Sequence, residues 1–461
     1  WVDDDSPQSG TEGRIQEAID LVNPGGNVWV LPGNYAEKAT NRKLYNNNGP
    51  YQFGLFIGQS KTGIIVGGAK EDGTPITDYN QVGANITTYA TNTFGYSGIF
   101  VEADNVTLQG LRIKDNIVSN KPDNNKTIEI IGDNFTLRYC HINVGADTED
   151  GGSIYFNDWR FDTSTNTSHL KAYTVEANWI DNGTSVDLAS GAGFSGPVSD
   201  RKIINNKFTN DGDEYWPFIS FNGSDTGVSW FKYSVGGAVI SGNDFNYDYN
   251  GDTFNGVGIA FIRARGTYDN SQFDWESYWT DNIYNKAVVF GPNPPAVLGT
   301  YSYTSGSYNF NNVRRIGVEI ATEVKQAGNN HIVLAKEGTY IHPVNVNKSL
   351  TITSEDGWEN TILTSGFDIY ADDVKIDGFH IMTGTASVGV DLHGIYVAAG
   401  SSNVLIKNNV LTGSWTGGST NYVGGRGILT GYNVNNLIVE NNLIEKWVSG
   451  LYLNPTTGAI V

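Results

Sequence analysis

The sequence is poor in cysteine and in basic residues. It has 461 residues, of which one is cysteine, and 29 Lys and Arg stand against 49 Asp and Glu. The single Cys140 excludes a disulfide framework and a cysteine-ligated zinc site, and its apolar setting "TLRYCHI" predicts a buried structural thiol. The formal net charge of −20 disfavours nucleic acid as a partner, because it repels phosphate, and suits divalent cations.

Long apolar runs are also missing. No stretch approaches the ~20 apolar residues of a membrane helix, so no membrane span is expected. The chain opens at Trp1 without a signal-like apolar region, which is typical of a processed or trimmed form. We expect an extracellular or cell-surface protein.

Helical periodicity is restricted to two short segments, "GRIQEAIDLV" from Gly13 and "IGVEIATEVKQAG" from Ile316. Each is followed by an apolar strand and a Gly-x-Tyr turn, so the same opening is used twice. This predicts two units in series, residues 1–312 and 313–461, each opened by a short amphipathic capping helix. The apolar pattern still runs at the last residues, so we expect the second unit to be incomplete at its C-terminus.

An eight-residue frame recurs after both openings. Two period-2 apolar strands flank a Gly, Asn or small corner residue, which suits the positive φ that a sharp corner needs. Corner asparagines on stacked coils are expected to hydrogen-bond to one another in ladders. No coil can bury its own apolar face alone, so the pattern predicts an all-β solenoid. The copies are "VTLQGLRI", "FTLRYCHI", "YTVEANWI", "RKIINNKF", "AVISGNDF", "VKIDGFHI", "VLIKNNVL" and "LIVENNLI".

These openings and coils resemble the right-handed parallel β-helix superfamily of pectin-lyase-like proteins. The resemblance covers nearly the whole chain and implies a right-handed parallel β-helix. It is weak for function, because this architecture hosts lyases, hydrolases, esterases, epimerases, phage tailspikes, adhesins and surface-layer proteins.

Polysaccharide lyases of this superfamily combine calcium carboxylates with an Arg or Lys base. The best basic candidates here are Arg263 and Arg265, two residues apart on one strand of "FIRARGTY". The alternative is a pair of surface arginines beside carboxylates. The family signatures of pectin hydrolases and methylesterases are incomplete, so those activities are not carried over.

Acidic loops supply candidates for a Ca²⁺ site. Hard oxygen ligands at alternate positions beside glycine turns are what Ca²⁺ requires, and a solvated acidic loop is the alternative for each. The candidate ligands are Asp147, Glu149 and Asp150; Asp211, Asp213 and Glu214; and Asp248, Asn250 and Asp252.

Aromatic side chains cluster in the later loops of the first unit. Flat rings beside Asp and Asn are typical of sugar stacking, and loop cores or contacts between copies are equal alternatives. The candidates for carbohydrate stacking are Trp216, Trp230, Trp275 and Trp279.

Asn-x-Ser/Thr sequons are frequent, and several coincide with coil corners. Those in polar loops are the candidates for glycosylation in a host that glycosylates. They are Asn166, Asn182 and Asn222.

Two functions remain after these observations. The first is a structural or adhesive cell-surface protein, such as a surface-layer or filament subunit that self-assembles. The second is a secreted polysaccharide lyase or related enzyme that acts on acidic glycans. The missing catalytic signature favours the first, and polysaccharide is the expected partner in both adhesion and catalysis.

Overall fold

The computed structural model shows an almost entirely β protein. It describes residues 1–8, 10–42, 51–88, 96–115, 125–143, 154–157, 169–181, 186–188, 196–210, 217–223, 235–247, 260–305, 308–383, 392–415 and 425–461. The α-helices in these ranges are α1 (Arg14–Leu21), α2 (Trp275–Thr280) and α3 (Ile320–Gln326). Short 3₁₀ turns occur at Gln59–Lys61, Tyr79–Gln81, Val198–Asp200 and Asn270–Gln272. None of these helices is long and apolar enough to cross a membrane.

The chain divides into two compact units. Unit 1 comprises Trp1–Ile283 and Ser302–Val313, and unit 2 comprises Tyr284–Tyr301 and Arg314–Val461. Helices α1 and α3 form in the two segments with helical periodicity, and each precedes a strand. The role of these helices as caps stays a prediction.

Three long sheets account for most of unit 1. Sheet 1 has seven strands: Asn27–Val30, Ile65–Gly68, Thr107–Gln109, Phe135–Arg138, Tyr173–Glu176, Arg201–Ile204 and Val239–Ser241. Sheet 2 has eight: Gly33–Glu37, Ala84–Thr88, Arg112–Asp115, His141–Asn143, Trp179–Asp181, Lys207–Asn210, Asp244–Tyr247 and Ile283–Tyr284. Sheet 3 has ten: Ala39–Arg42, Tyr51–Ile57, Tyr96–Val101, Asn125–Ile130, Ile154–Phe156, Val186–Leu188, Ile219–Asn222, Ile262–Arg265, Tyr308–Ile316 and Tyr301–Ser305.

Unit 2 repeats this arrangement with shorter sheets. Sheet 4 has six strands: Val288–Gly291, His331–Ala335, Leu350–Ser354, Lys375–Asp377, Leu405–Lys407 and Ile438–Glu440. Sheet 5 has five: Gly338–Tyr340, Thr361–Leu363, His380–Met382, Val410–Thr412 and Leu443–Glu445. Sheet 6 has five: Val344–Val346, Phe367–Ile369, His393–Val397, Arg426–Thr430 and Ser449–Tyr452. A separate pair joins Val434–Asn435 to Thr456–Thr457.

Consecutive strands of the chain pass through the three sheets of a unit in turn and then return to the first. Within a sheet each strand pairs in parallel with the strand one coil later, as Phe135–Arg138 does with Tyr173–Glu176. Antiparallel pairing occurs at the start of sheet 3 and of sheet 4. The predicted parallel β-helix is confirmed, and its crossovers are right-handed, as connections between parallel strands are.

The interior of each unit is built from rows of aligned apolar side chains. Because side chains alternate across a strand, residues in register on successive coils stack on the same face. One such row crosses sheet 1 and is almost completely buried. It consists of Val66, Leu108, Leu137, Val175, Ile203 and Ile240.

Every copy of the eight-residue frame turns at its fifth residue with φ between 53° and 84°. Glycine and asparagine adopt this conformation at low cost, as predicted. Tyr139 and Ala177 adopt it too, against their preference, because the backbones of the neighbouring coils fix the corner. The eight corner residues are Gly110, Tyr139, Ala177, Asn205, Gly242, Gly378, Asn408 and Asn441.

The next residue of the frame points inward and forms an asparagine ladder in unit 1. Nδ2 of Asn178 donates to Oδ1 of Asn206 at 3.0 Å, Asn206 to Asn243 at 3.0 Å, and Asn243 to Asn282 at 2.9 Å. Cys140 occupies the corresponding inward position one coil earlier, directly after the corner residue Tyr139, and its backbone N–H donates to Oδ1 of Asn178. The thiol is fully buried and its pKa is raised to about 12 by burial, which confirms the structural role expected of it.

Unit 2 has a shorter ladder of the same kind. Nδ2 of Asn409 donates to Oδ1 of Asn442 at 3.0 Å, and the backbone N–H of Phe379 donates to Asn409 at 2.9 Å. The predicted ladders are therefore present in both units.

A carboxylate lies beneath α1. Glu37, 1% exposed at the end of a sheet 2 strand, accepts hydrogen bonds from the backbone N–H groups of Ile15 and Gln16, each at 3.1 Å. These donors belong to the first turn of the helix, where N–H groups lack partners within the helix. Burial raises the pKa of Glu37 to about 7, against the lowering effect of the two N–H donors.

We predict that Asn206→Ala destabilises unit 1 by about 3 kcal/mol. The change leaves buried backbone groups of two coils without a partner, at ~1–3 kcal/mol for each group, and opens a cavity. Denaturant unfolding of the full chain measures the loss. Asn246→Ala, at an exposed position in the same unit, is the control and should cost less than 1 kcal/mol. Equal losses for the two variants would contradict a structural role for the ladder.

A second prediction concerns Glu37 and pH. Its folded pKa lies above the ordinary value, so the folded state holds the proton more tightly than the unfolded chain. The resulting stability is complete below pH ~4.5 and is lost as the pH rises through about 7. Glu37→Gln should flatten this part of the stability profile, measured by denaturant unfolding between pH 4 and 8. Parallel profiles for the two proteins would contradict the prediction.

Candidate functional site

The outer face of sheet 3 carries polar and charged side chains. In its strands the apolar residues point inward, and the residues between them point outward, because side chains alternate along a strand. The segments Ile128–Ile130, Ile154–Phe156, Ile219–Asn222 and Ile262–Arg265 all show this alternation. The polar residues are held in register by parallel pairing between the strands.

The first group on this face is centred on Glu129. Its carboxylate accepts hydrogen bonds from Oγ of Ser97 and, at 3.3 Å, from Nδ2 of Asn157. The ammonium of Lys126 lies 4.3 Å from the centre of the Tyr155 ring, a cation–π contact. Burial raises the pKa of Glu129, while the hydrogen bond from Ser97 and the charge of Lys126 act to lower it. A carboxylate, an ammonium and an aromatic ring thus lie on two neighbouring strands.

The second group contains the two predicted arginines. Arg263 is 1% exposed and donates from Nη2 to Oγ of Ser220 at 3.1 Å. Arg265 is partly exposed, and its Nε donates to Oδ1 of Asn222. Both arginines therefore lie on the predicted face and are fixed by side chains of the adjacent strand. One strand, Val186–Leu188, separates this group from the Glu129 group, a gap of roughly 10 Å between the flanking strands.

The structure corrects the predicted role of Asn222. Its side chain is 5% exposed and bonded to Arg265 and, at 3.1 Å, to the hydroxyl of Ser220. A glycan acceptor needs an accessible amide, so Asn222 is a partner of the arginine pair instead of a glycosylation site. Asn166 and Asn182 lie outside the described residues.

The structure decides between the alternatives for two of the four tryptophans. Trp275 and Trp279 belong to α2 and are 5% and 1% exposed. The Trp275 ring stacks on Phe273 with 5.8 Å between the ring centres. Buried rings cannot stack on a sugar, so these two side chains form part of a loop core. Trp216 and Trp230 lie outside the described residues.

All nine candidate calcium ligands lie outside the part of the chain that the structure describes. Their positions in the chain are nevertheless informative, because each acidic segment connects a strand of sheet 2 to a strand of sheet 3. The segments follow His141–Asn143, Lys207–Asn210 and Asp244–Tyr247 and lead into Ile154–Phe156, Ile219–Asn222 and Ile262–Arg265. Within the described ranges, no group of three or more His, Cys, Asp and Glu side chains is placed to hold a metal ion.

Lys126, Glu129 and Tyr155 are site residues that were not predicted from the sequence. The missed signal was the alternation in "TIEI" and "SIYF", where a polar or aromatic residue stands between inward Ile and Phe. These strands lie outside the eight-residue frame, whose copies in unit 1 cover strands of sheets 1 and 2.

Comparisons with known proteins find similar solved structures only at low sequence identity. No family model matches the chain, and no curated protein matches it. Similar solved structures include a PL6 alginate lyase complex with trisaccharide, at 12% identity over 99% of this chain and 83% of that chain, with a TM-score of 0.29. Another is PfbA, a surface adhesin of Streptococcus pneumoniae, at 12% identity over 97% and 86%, with a TM-score of 0.28.

A third similar structure is the Azotobacter vinelandii mannuronan C-5 epimerase AlgE6 A-module, at 12% identity over 97% and 94% of the two chains, with a TM-score of 0.28. At such identities and scores the comparisons assign no activity to this chain. The class of protein, a parallel β-helix, follows from the strand order.

Proposed function

We propose that the protein is an extracellular adhesive β-helix protein that holds an acidic polysaccharide on the outer face of sheet 3. The observation that supports this most directly is the placement of Arg263 and Arg265 on the outer face of sheet 3, with the buried Lys126 against the Tyr155 ring, in a chain with net charge −20. Cations fixed on an otherwise anionic protein attract carboxylates selectively. The row of polar groups crosses the strands, a direction that suits a linear polymer.

Each group on this face has a role in binding a sugar acid. Arg265 is partly exposed and presents a planar fork to a carboxylate, while Arg263 beneath the surface adds charge. Tyr155 offers a ring for C–H contacts, and Lys126 lies beside it. Glu129 offers oxygens to sugar hydroxyls.

An adhesive role fits the arginine geometry better than a catalytic one. A base that removes a proton must be neutral when it acts, and the guanidinium of arginine stays protonated in proteins. Arg263 and Arg265 donate hydrogen bonds to Ser220 and Asn222, and these contacts orient both guanidinium groups. The two residues therefore serve as carboxylate partners in this proposal.

The acidic segments that lead from sheet 2 into sheet 3 contribute further candidate binding residues to the proposed site. They carry the candidate calcium ligands and also Trp216, which stands three residues before the Ile219–Asn222 strand. Ca²⁺ bound there would bridge protein and glycan carboxylates. Calcium binding, self-assembly and glycosylation of Asn166 and Asn182 stay predictions.

We predict that the double variant Lys126→Ala, Arg265→Ala weakens binding of polygalacturonate at least about tenfold, which is ~1.4 kcal/mol. The physical reason is the loss of two charges from the face. Calorimetric titration with and without a calcium chelator measures affinity and calcium dependence. Lys202→Ala, Arg112→Ala is the matched control, because it removes equal charge from exposed positions in sheets 1 and 2 and should change affinity less than twofold.

Two results would overturn the proposal. If the double variant and the control bind polygalacturonate with equal affinity, the outer face of sheet 3 is not the binding face. A rise in ultraviolet absorbance from unsaturated uronates on incubation with polygalacturonate would replace adhesion by lyase activity. Thermal unfolding of each variant separates a lost contact from a lost fold.

A further inference from the structure

Unit 2 exposes tyrosines on the outer face of sheet 6. Tyr370, directly after the strand Phe367–Ile369, is 55% exposed, and Tyr452 on the last strand of the sheet is 46% exposed. Tyr396 lies between them on the strand His393–Val397 and is partly exposed. The rings of Tyr370 and Tyr396 meet edge to face with 6.2 Å between centres. Apolar ring surface of this extent on a sheet face is typical of a binding surface.

The strand register places two of these rings, Tyr396 and Tyr452, in one row with Asp368 and Leu429, and Tyr370 lies beside the row, two residues beyond Asp368. Asp368 is paired with Tyr396, Tyr396 with Leu429, and Leu429 with Tyr452. Tyr396 and Tyr452 are therefore two strands apart, roughly 10 Å along the row. A rigid spacing of this kind suits a ligand that repeats along its own length.

A cation and two polar groups border the row. The guanidinium of Arg426 lies 4.5 Å from the centre of the Tyr452 ring, and Arg426 is paired in register with His393 on the neighbouring strand. Nε2 of His393 contacts Oδ1 of Asp368 at 2.6 Å, and the His393 ring lies 5.4 Å from that of Tyr396. The row thus combines ring faces, a positive charge and hydrogen-bonding groups.

We propose that Tyr370, Tyr396, Tyr452 and Arg426 form a second glycan-binding site, the tyrosine row, which takes a polymer of uronic acids. Pyranose C–H faces stack on the tyrosine rings, Arg426 binds a carboxylate, and Asp368 and His393 bind hydroxyls. The ligand class rests on the proposed function, but the residues belong to another sheet of another unit.

A protein partner is the rival occupant, because Tyr and Arg are also frequent in protein interfaces. The tyrosine row favours a glycan, since the charged and hydrogen-bonding side chains of Asp368, His393 and Arg426 border its rings. The regular step between strands also matches a chain of identical sugar units.

The test uses the full chain with Lys126→Ala, Arg265→Ala already present, so that sheet 3 does not contribute. Hexagalacturonate is titrated by calorimetry. Binding should remain and should weaken at least about tenfold when Tyr396→Ala, Tyr452→Ala is added, and likewise when Arg426→Ala is added. Tyr432→Ala, at a position 63% exposed outside the row, is the control and should change affinity less than twofold.

A neutral hexasaccharide, cellohexaose, separates the contributions of rings and charge. Its weaker binding should be lost in the tyrosine variant and unchanged in Arg426→Ala. Two results would contradict the tyrosine row as a binding site. One is hexagalacturonate binding that is unchanged by all of the tyrosine and Arg426 substitutions. The other is a complete loss of binding in the Lys126→Ala, Arg265→Ala protein although it unfolds normally. If binding depends only on the tyrosine row, the proposed binding face on sheet 3 is wrong. Failure of the proposed function and failure of the tyrosine row are therefore distinguishable.

Discussion

The structure depends on the hydrogen bonds that join each coil to the next. Backbone ladders supply most of them, and at the sharp corner of the frame the chain turns away from the ladder and leaves polar groups inside. Asn178, Asn206, Asn243 and Asn282 satisfy those groups with side chains that bond to one another and to backbone. A buried polar group without a partner is costly, so the ladder allows an apolar interior to coexist with a tight corner. The same solution recurs at Asn409 and Asn442.

The ladders and the apolar rows involve inward-pointing residues. The outward-pointing residues of the third sheet in each unit are therefore available for function. Inward residues are fixed by stacking, whereas outward residues need only keep the strand conformation. Sheet 3 uses them for Glu129, Lys126 and the arginine pair, and most of these side chains are held by neighbours on adjacent strands. Sheet 6 uses them for tyrosines that remain exposed. Because the strands pair in parallel register, such residues lie side by side in rows that run across the strands.

The frame made the fold predictable from sequence, because corner, inward and outward positions recur with fixed spacing. It predicted the ladder asparagines and the buried Cys140. The site was less predictable, since it lies on the strands outside the frame, where only short alternations such as "TIEI" mark the outward residue. Arg263 and Arg265 were found by their charge. For Trp275 and Trp279 the sequence left a loop core and a sugar-stacking surface open. Asn222 was misjudged because its partner Arg265 is 43 residues away, which leaves no local signal in the sequence.

The ladder spacing also bears on how the chain acquires its fold. Each ladder asparagine bonds to one that follows 28 to 39 residues later, never to a distant coil. A growing chain can therefore add coils one at a time, each formed on the edge of its predecessor, before the rest has been synthesised. At the N-terminal end of the described coils α1, held by Glu37, lies against strands of all three sheets of unit 1, so these strands also have a packing partner within the same coil.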